Sequence, residues 1–134
     1  MDKTFKLSII SLDGTVFEGQ AKLVSLRAID GDLAIMAGHT NYVTAIGMGT
    51  AKVIYEDDSE REAACIGGML SVLNGECELF SDTWEWEDEI DLERAQQAKE
   101  RAEALLKNSR ISKKEQKLAE TKLKRALVRI STVS

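Results

Sequence analysis

Apolar and polar residues alternate with a period of two along the first two thirds of the chain, and then repeat with a period of about 3.6. Phe5, Leu7 and Ile9 alternate with Lys6 and Ser8, the pattern of a half-buried strand. Asp13-Gly14 marks a turn, and Val16-Phe17 starts a short return. Val24, Leu26 and Ala28 alternate with Ser25 and Arg27, after which Asp30-Gly31 turns the chain into Leu33-Ala34-Ile35-Met36. Thr50 to Tyr55 predicts a further strand, Glu56 to Glu60 a polar hairpin turn, and Arg61 to Ile66 its partner. Asn74-Gly75, between Met69–Leu73 and Glu76–Phe80, is the strongest hairpin signal in the chain. Gly67-Gly68 falls between two predicted strands and reads as a bulge or tight link where side chains do not fit. Many short strands at this spacing predict a small antiparallel sandwich or barrel, over residues 1–86.

The pattern changes after the acidic run Glu85-Trp86-Glu87-Asp88-Glu89. Asp88 or Asp91 can cap a first helix, where a carboxylate suits the positive helix end. Ala95, Ala98, Ala102 and Leu105 form its apolar stripe. Asn108-Ser109-Arg110-Ile111 interrupts the stripe, and Ser112-Lys113-Lys114-Glu115 is a capping box that starts a second helix. Ala119, Leu123, Ala126 and Ile130 form the second stripe, with Leu127 beside it. The fold class is therefore α+β: an N-terminal antiparallel β-sandwich followed by a C-terminal α-helical hairpin over residues 87–134. Alanine stripes let two helices approach closely but remove little apolar area from water, at about 25 cal/mol per Å². Such a hairpin must dock on the sandwich or on another protein, which makes it a candidate movable element.

Composition narrows the function. All nine glycines lie at or before Gly75 and there is no proline, consistent with the change from turn-rich sheet to helix. A net charge of −5 argues against general nucleic-acid binding. The chain opens with no basic stretch followed by an apolar run, so no secretory signal is expected. No apolar run approaches the roughly 18 residues needed to cross a bilayer, so membrane contact is expected only through a partner. Cys65 and Cys77 lie in separate predicted strands. A disulfide between neighbouring strands is open to them, but buried reduced thiols fit a chain without an export signal better. His39 is the only histidine, which leaves no zinc ligand set; in Ala37-Gly38-His39 it reads as a turn residue bonded to nearby backbone. No nucleophile elbow accompanies it, and the acidic run lacks the glycine-centred loop of a calcium motif.

The arginines of the helical part carry the candidate chemistry. Arg94 and Arg101 share one helix face, and Arg125 and Arg129 share another. If the helices fold back on each other, all four guanidinium groups can meet on one side, where an anionic ligand or an acidic partner surface would offset their repulsion. The competing reading is a solvated face with surface pairs to Glu93, Glu100 or Glu120, worth about 0–1 kcal/mol each. Spacing alone favours the solvated face. The basic stretch from Lys107 to Arg129 has the same two readings, a solvated face or a surface for acidic partners.

Taken in order, these features resemble the epsilon subunit family of the F-type ATP synthases. The resemblance spans nearly the whole chain: Asp13-Gly14, Val16-Phe17-Glu18, Asp30-Gly31, Gly38-His39, Gly67-Gly68, Ile90-Asp91 through Arg94-Ala95, Lys124-Arg125-Ala126 and Arg129-Ile130. It implies a non-catalytic central-stalk subunit whose sandwich binds the gamma subunit and the c-ring, coupling ion translocation to ATP synthesis. The hairpin, folded on the sandwich, would permit turnover; extended along gamma toward the alpha and beta subunits, it would block ATP hydrolysis. The location implied is peripheral, on the cytoplasmic face of a bacterial inner membrane. No cofactor is required, and a regulatory ATP is the one ligand implied. Ile90, Asp91, Arg94 and Ala95 match the family's ATP-binding pattern. By the same resemblance Glu85, Ile90 and Ala95 would contact the adenine side, while Arg94, Arg101, Arg125 and Arg129 would contact phosphate or hold the hairpin folded.

The chain departs from the pattern at Ala37, before Gly38-His39, at Ser11-Leu12, before Asp13-Gly14, and at Trp84 and Trp86, which flank Glu85. The tryptophans could stack on a base, fill the pocket or pack a subunit contact. Two alternatives stand beside the main reading. One is a free-standing ATP-binding sensor with the hairpin as lid, and the other a rotor subunit with a purely structural hairpin.

Overall fold

The computed structural model describes residues 3–134. Seven strands precede a short 3-10 turn and two helices: β1 (Phe5–Ser11), β2 (Gly14–Ala28), β3 (Gly31–Met36), β4 (Tyr42–Ala45), β5 (Met48–Tyr55), β6 (Glu60–Leu73), β7 (Glu76–Trp86), the turn Glu87–Glu89, α1 (Leu92–Lys107) and α2 (Lys113–Val133). Neighbouring strands run β1-β7-β6-β5-β2-β3, β4 adds to β6, and a further β1–β2 ladder closes the path on itself. All ladders are antiparallel except β1–β7, which is parallel in the register Leu7↔Cys77 and Ile9↔Leu79.

Two strands are longer than the sequence pattern predicts, and they make the sandwich. β2 is one strand of fifteen residues rather than two short ones. Its first half pairs with β1 and its second half with β3 and β5, with an irregularity between Ala21 and Leu23 where it changes partner. β6 likewise runs without a break through Gly67-Gly68. It pairs with β5 up to Ile66 and with β4 from Met69. Gly67 and Gly68 have φ of +72° and +124°, and a Cβ on Gly68 would lie 1.8 Å from the Phe80 carbonyl oxygen. The pair is thus a corner inside one strand, possible only where backbone passes backbone without side chains.

The core follows the period-two pattern. Phe5, Leu7 and Ile9 of β1, Val24 and Leu26 of β2, Val53 of β5, Leu70 and Val72 of β6, and Cys77 and Leu79 of β7 are buried together. Both thiols are free and buried. Desolvation pushes Cys65 up to about 11 and Cys77 up to about 12, so both are unreactive neutral thiols near neutral pH. His39 is a turn residue, its Nδ1–H donating to the Thr40 carbonyl at 2.8 Å.

The helices form the expected hairpin. Ala95 and Ala102 of α1 and Ala119 and Ala126 of α2 are buried, spaced evenly about the connection. Leu105 and Leu127, expected at or beside the stripes, are 43% and 44% exposed. The fully buried positions of the seam are small residues, with Leu106, Leu123 and Ile130 half-buried beside them and Leu105 and Leu127 exposed. Ser112 Oγ accepts from the Glu115 N–H at 3.1 Å, completing the capping box. The helix packing against β5, β6 and the 3-10 turn comes from α2, and α1 packs on α2. No helix among the described residues is long and apolar enough to cross a membrane.

Candidate functional site at the junction of sandwich and hairpin

The end of β7 sorts its side chains by strand alternation. Trp84 and Trp86 point into the sandwich core, packed edge to face with ring centroids 5.2 Å apart. Stacking on a base, filling a pocket and packing a subunit contact are the roles the sequence leaves open to them; the structure gives them another, as part of the sandwich core. Glu85, between them, points the other way, toward α2. There its Oε1 accepts a hydrogen bond from Arg129 Nε, and both side chains are about two-thirds buried. Thr132 Oγ1, one turn further along α2, donates to the Val128 carbonyl and accepts from Thr50 Oγ1 on β5 at 2.8 Å. These two polar contacts fasten α2 to the sheet. Thr132 escapes a reading by apolar stripe because it is polar and lies off the face of Ala119 and Ala126; the signal was its place three residues after Arg129, on the same side of α2.

Beyond β7 the chain makes its 3-10 turn, and Ile90 ends it with its N–H directed to the Glu87 carbonyl. Asp91 is the cap of α1, accepting from the Arg94 N–H at 3.0 Å. Asp88, the other candidate cap, is instead held by Arg61 Nη2 at 3.0 Å, while the same guanidinium sits 4.0 Å above the Trp86 ring.

Arg94 and Arg101 share an open groove of about 370 Å³ with Asp91, Glu93 and Gln97. Two guanidinium groups there face two carboxylates, one of which is already engaged as the helix cap. The groove suits an anion that can use the two arginine forks, and it offers that anion competition from Glu93. Ala95 lies in the helix seam at 4% exposure, so it packs the hairpin rather than lining the groove. Arg125 is exposed. Among the described residues, none of Arg94, Arg101 and Arg125 has a carboxylate within ion-pair reach, so the expected pairs to Glu93, Glu100 and Glu120 do not form. Five of the eight candidate residues therefore fall in two places: Asp91, Arg94 and Arg101 at the groove, and Glu85 with Arg129 at the sandwich face. Ile90 and Ala95 belong to the intervening turn and seam, and Arg125 to the outer surface.

Sandwich and hairpin together define a two-part architecture, a closed sheet bearing a helical hairpin. The chain matches the β-sandwich domain of the ATP synthase delta/epsilon chain over residues 4–87, and the long α-helix domain of the same chain over residues 88–134. It is 36% identical to the ATP synthase epsilon chain of Clostridium novyi, over 99% of this chain and 100% of that one. It is also 36% identical to the ATP synthase epsilon chain of Caldanaerobacter subterraneus, over 100% and 96% of the two chains. With the sodium ion specific ATP synthase epsilon chain of Acetobacterium woodii it shares 39% identity over 76% of its own length and 77% of the relative's. Its fold superposes on a chain of the Euglena gracilis mitochondrial ATP synthase (OSCP/F1/c-ring, rotational state 1) with a TM-score of 0.87 and 20% identity, covering 98% of this chain and 82% of that one. The chain belongs to the ATP synthase delta/epsilon chain family, as a bacterial-type epsilon chain of the F-type enzyme, and it is a non-catalytic subunit.

Proposed function

We propose that this chain is a central-stalk, or rotor, subunit that couples ion translocation through the c-ring to ATP synthesis and inhibits ATP hydrolysis through its C-terminal helices. In this reading the sandwich, residues 1–86, binds the gamma subunit and the c-ring. The hairpin, residues 87–134, is the regulatory arm that reaches the alpha and beta subunits when it leaves the sandwich. Nucleic acid has no part in it, and contact with the cytoplasmic face of the bacterial inner membrane comes only through the complex.

The observation that supports a mobile arm is the way the hairpin is attached. α2 meets the sheet through the Glu85–Arg129 pair and the Thr50–Thr132 hydrogen bond, with Val128 and Val133 only half-buried beside them, and the fully buried positions of the helix seam are alanines. Little apolar area is lost when such an arm lifts, and the freed polar groups can be rehydrated. The reading is tested by adding to the ATP synthase either the full chain or a chain ending at Asp88. Both should co-purify with gamma, and only the full chain should suppress ATP hydrolysis. Equal suppression by the two chains would sink the role given to the hairpin.

ATP is the proposed regulatory ligand of the folded arm. Asp91, Arg94 and Arg101 supply an open groove, while Glu85 and Arg129 are engaged with each other. Nucleotide that used all the candidate residues would have to exchange the Glu85–Arg129 pair for its own contacts. ATP that binds only the folded form shifts the equilibrium toward it in proportion to occupancy. Calorimetric titration of ATP should give saturable heat that an Arg94→Ala, Arg125→Ala variant loses. No heat at millimolar ATP would leave these arginines as packing or partner-contact residues.

A further inference from the structure

The turn Glu87–Glu89 stands between sandwich and arm, and its polar contacts tie it to the sandwich alone. Arg61 of β6 donates from Nη2 to Asp88 at 3.0 Å and lies 4.0 Å over the Trp86 ring. Trp86, one of the chain's departures from the family pattern, is packed in the core, so the guanidinium is seated on a fixed ring. Glu89 reaches back, and its Oε1 accepts from the Trp86 N–H at 3.0 Å. Both partners belong to β6 or β7. α2 packs against the turn as well, but among the described residues no hydrogen bond or ion pair joins the turn to either helix.

The next residue already belongs to the arm. The Asp91 carboxylate accepts from the Arg94 N–H and its carbonyl from the Ala95 N–H, both inside α1. Ile90 faces the other way, its N–H directed to the Glu87 carbonyl. Between these two sets of bonds runs one extended link, with Ile90 at φ −80° and ψ 126° and Asp91 at φ −85°. Rotation about ψ of Ile90 and φ of Asp91 swings the hairpin and breaks no bond of the turn. A pivot at Trp86–Glu87 would instead strip Asp88 from Arg61 and Glu89 from the Trp86 N–H, an added cost that gains nothing. Hinges fall where a few residues at the ends of elements absorb the change in dihedral angles.

We propose that the arm pivots at the Ile90–Asp91 link, and that Arg61 holds Glu87–Glu89 to the sandwich in both positions of the arm. The inference rests on the reading of the hairpin as a movable arm, and it narrows the moving part to residues 91–134. It is tested with pairs of nitroxide spin labels on the full chain, their separation measured by pulsed EPR in the isolated chain and again in the inhibited ATP synthase. Cys65 and Cys77 are buried, so only introduced cysteines take the label. Glu76→Cys, exposed at the far end of β7, is the common reference; its partner is Glu87→Cys in the turn or Ala104→Cys in α1, both exposed. The 76–87 separation should be the same in both states. The 76–104 separation should shift by roughly 10 Å or more, since at 1.5 Å per residue Ala104 lies about 20 Å from the pivot. With Arg61→Gln and Asp88→Asn added, the isolated chain should keep both separations, which shows an intact fold, and the 76–87 separation should no longer stay constant on assembly. If 76–87 shifts together with 76–104, or stays constant without Arg61 and Asp88, the pivot or the clamp is overturned while the movable arm stands. If neither separation changes, the arm does not leave, and the pivot falls with it.

Discussion

The sandwich and the hairpin solve the problem of stability in different ways. In the sandwich, leucine, isoleucine, valine and phenylalanine from six strands close on one another, with Tyr42 of β4 packed against them, and β2 and β6 each change partners along their length. In the hairpin, alanines line the seam while Leu105, Leu118 and Leu127 stay exposed. Its contact with the sheet combines two polar links from α2 with the half-buried Val128 and Val133 near the same end of the helix. Apolar burial is lost all at once when a core opens, whereas a polar contact is exchanged for water at small net cost. One half of the chain is therefore a platform, and the other is an arm whose detachment costs a fraction of what unfolding the platform does.

Substitutions should separate the two halves by the size of their effect. The largest is expected at Gly68, where an alanine would place its Cβ against the Phe80 carbonyl at a φ of +124°. Gly68→Ala should lower the unfolding free energy by about 3 kcal/mol or more in urea titration. An effect below about 1 kcal/mol would mean that the corner can relax. Leu79→Ala, at a fully buried position, should cost about 2–5 kcal/mol. Leu127→Ala, on the exposed side of α2, should change stability by no more than about 0.5 kcal/mol. If the two leucine variants fell together, the hairpin would belong to the same cooperative core.

The thiols add a pH dependence to the sandwich alone. Burial raises Cys65 and Cys77 to about 11 and about 12, from an ordinary value of 9.0. A raised pKa means that the folded state binds protons the unfolded state has lost. Their contribution is thus whole below pH 9, falls as pH rises from 9 through the folded values of about 11 and about 12, and is spent above them. The urea midpoint should decline across that window, and a Cys65→Ala, Cys77→Ala variant should decline less. The smallest effect is expected at the fastening of the arm. A double-mutant cycle on Glu85→Gln and Arg129→Gln should give a coupling of about 0.2–1 kcal/mol, since both groups remain about one-third exposed. Amide exchange in α2 should speed up in these variants while β6 and β7 keep their protection. Uniform acceleration across both halves would erase the distinction between platform and arm.

The comparison also explains what could be read from the chain directly. Period-two alternation located Phe5, Leu7, Ile9, Val24 and Leu26 in the core, and the alanine stripes located the seam, because burial there follows local periodicity. Strand length was misread at β2 and β6. A bulge and a Gly-Gly corner break the alternation without ending the strand, and locally they look like turns. The parallel β1–β7 ladder was also hidden, since its partners are distant in sequence. At the site, the Asp91 cap and the Arg94–Arg101 face follow from helix spacing. The Glu85–Arg129 and Thr50–Thr132 contacts depend on how the arm lies on the sheet, which no local pattern encodes.

The central claim is that the arm must leave the sandwich to inhibit. Thr50 and Thr132 have side-chain oxygens 2.8 Å apart, close enough for a cysteine pair to bridge, and the native thiols are buried and unreactive. A Thr50→Cys, Thr132→Cys chain would be assembled into the ATP synthase and ATP hydrolysis measured before and after reduction. The account expects the oxidised, locked arm to leave hydrolysis uninhibited and reduction to restore inhibition. Equal inhibition in both states would contradict it.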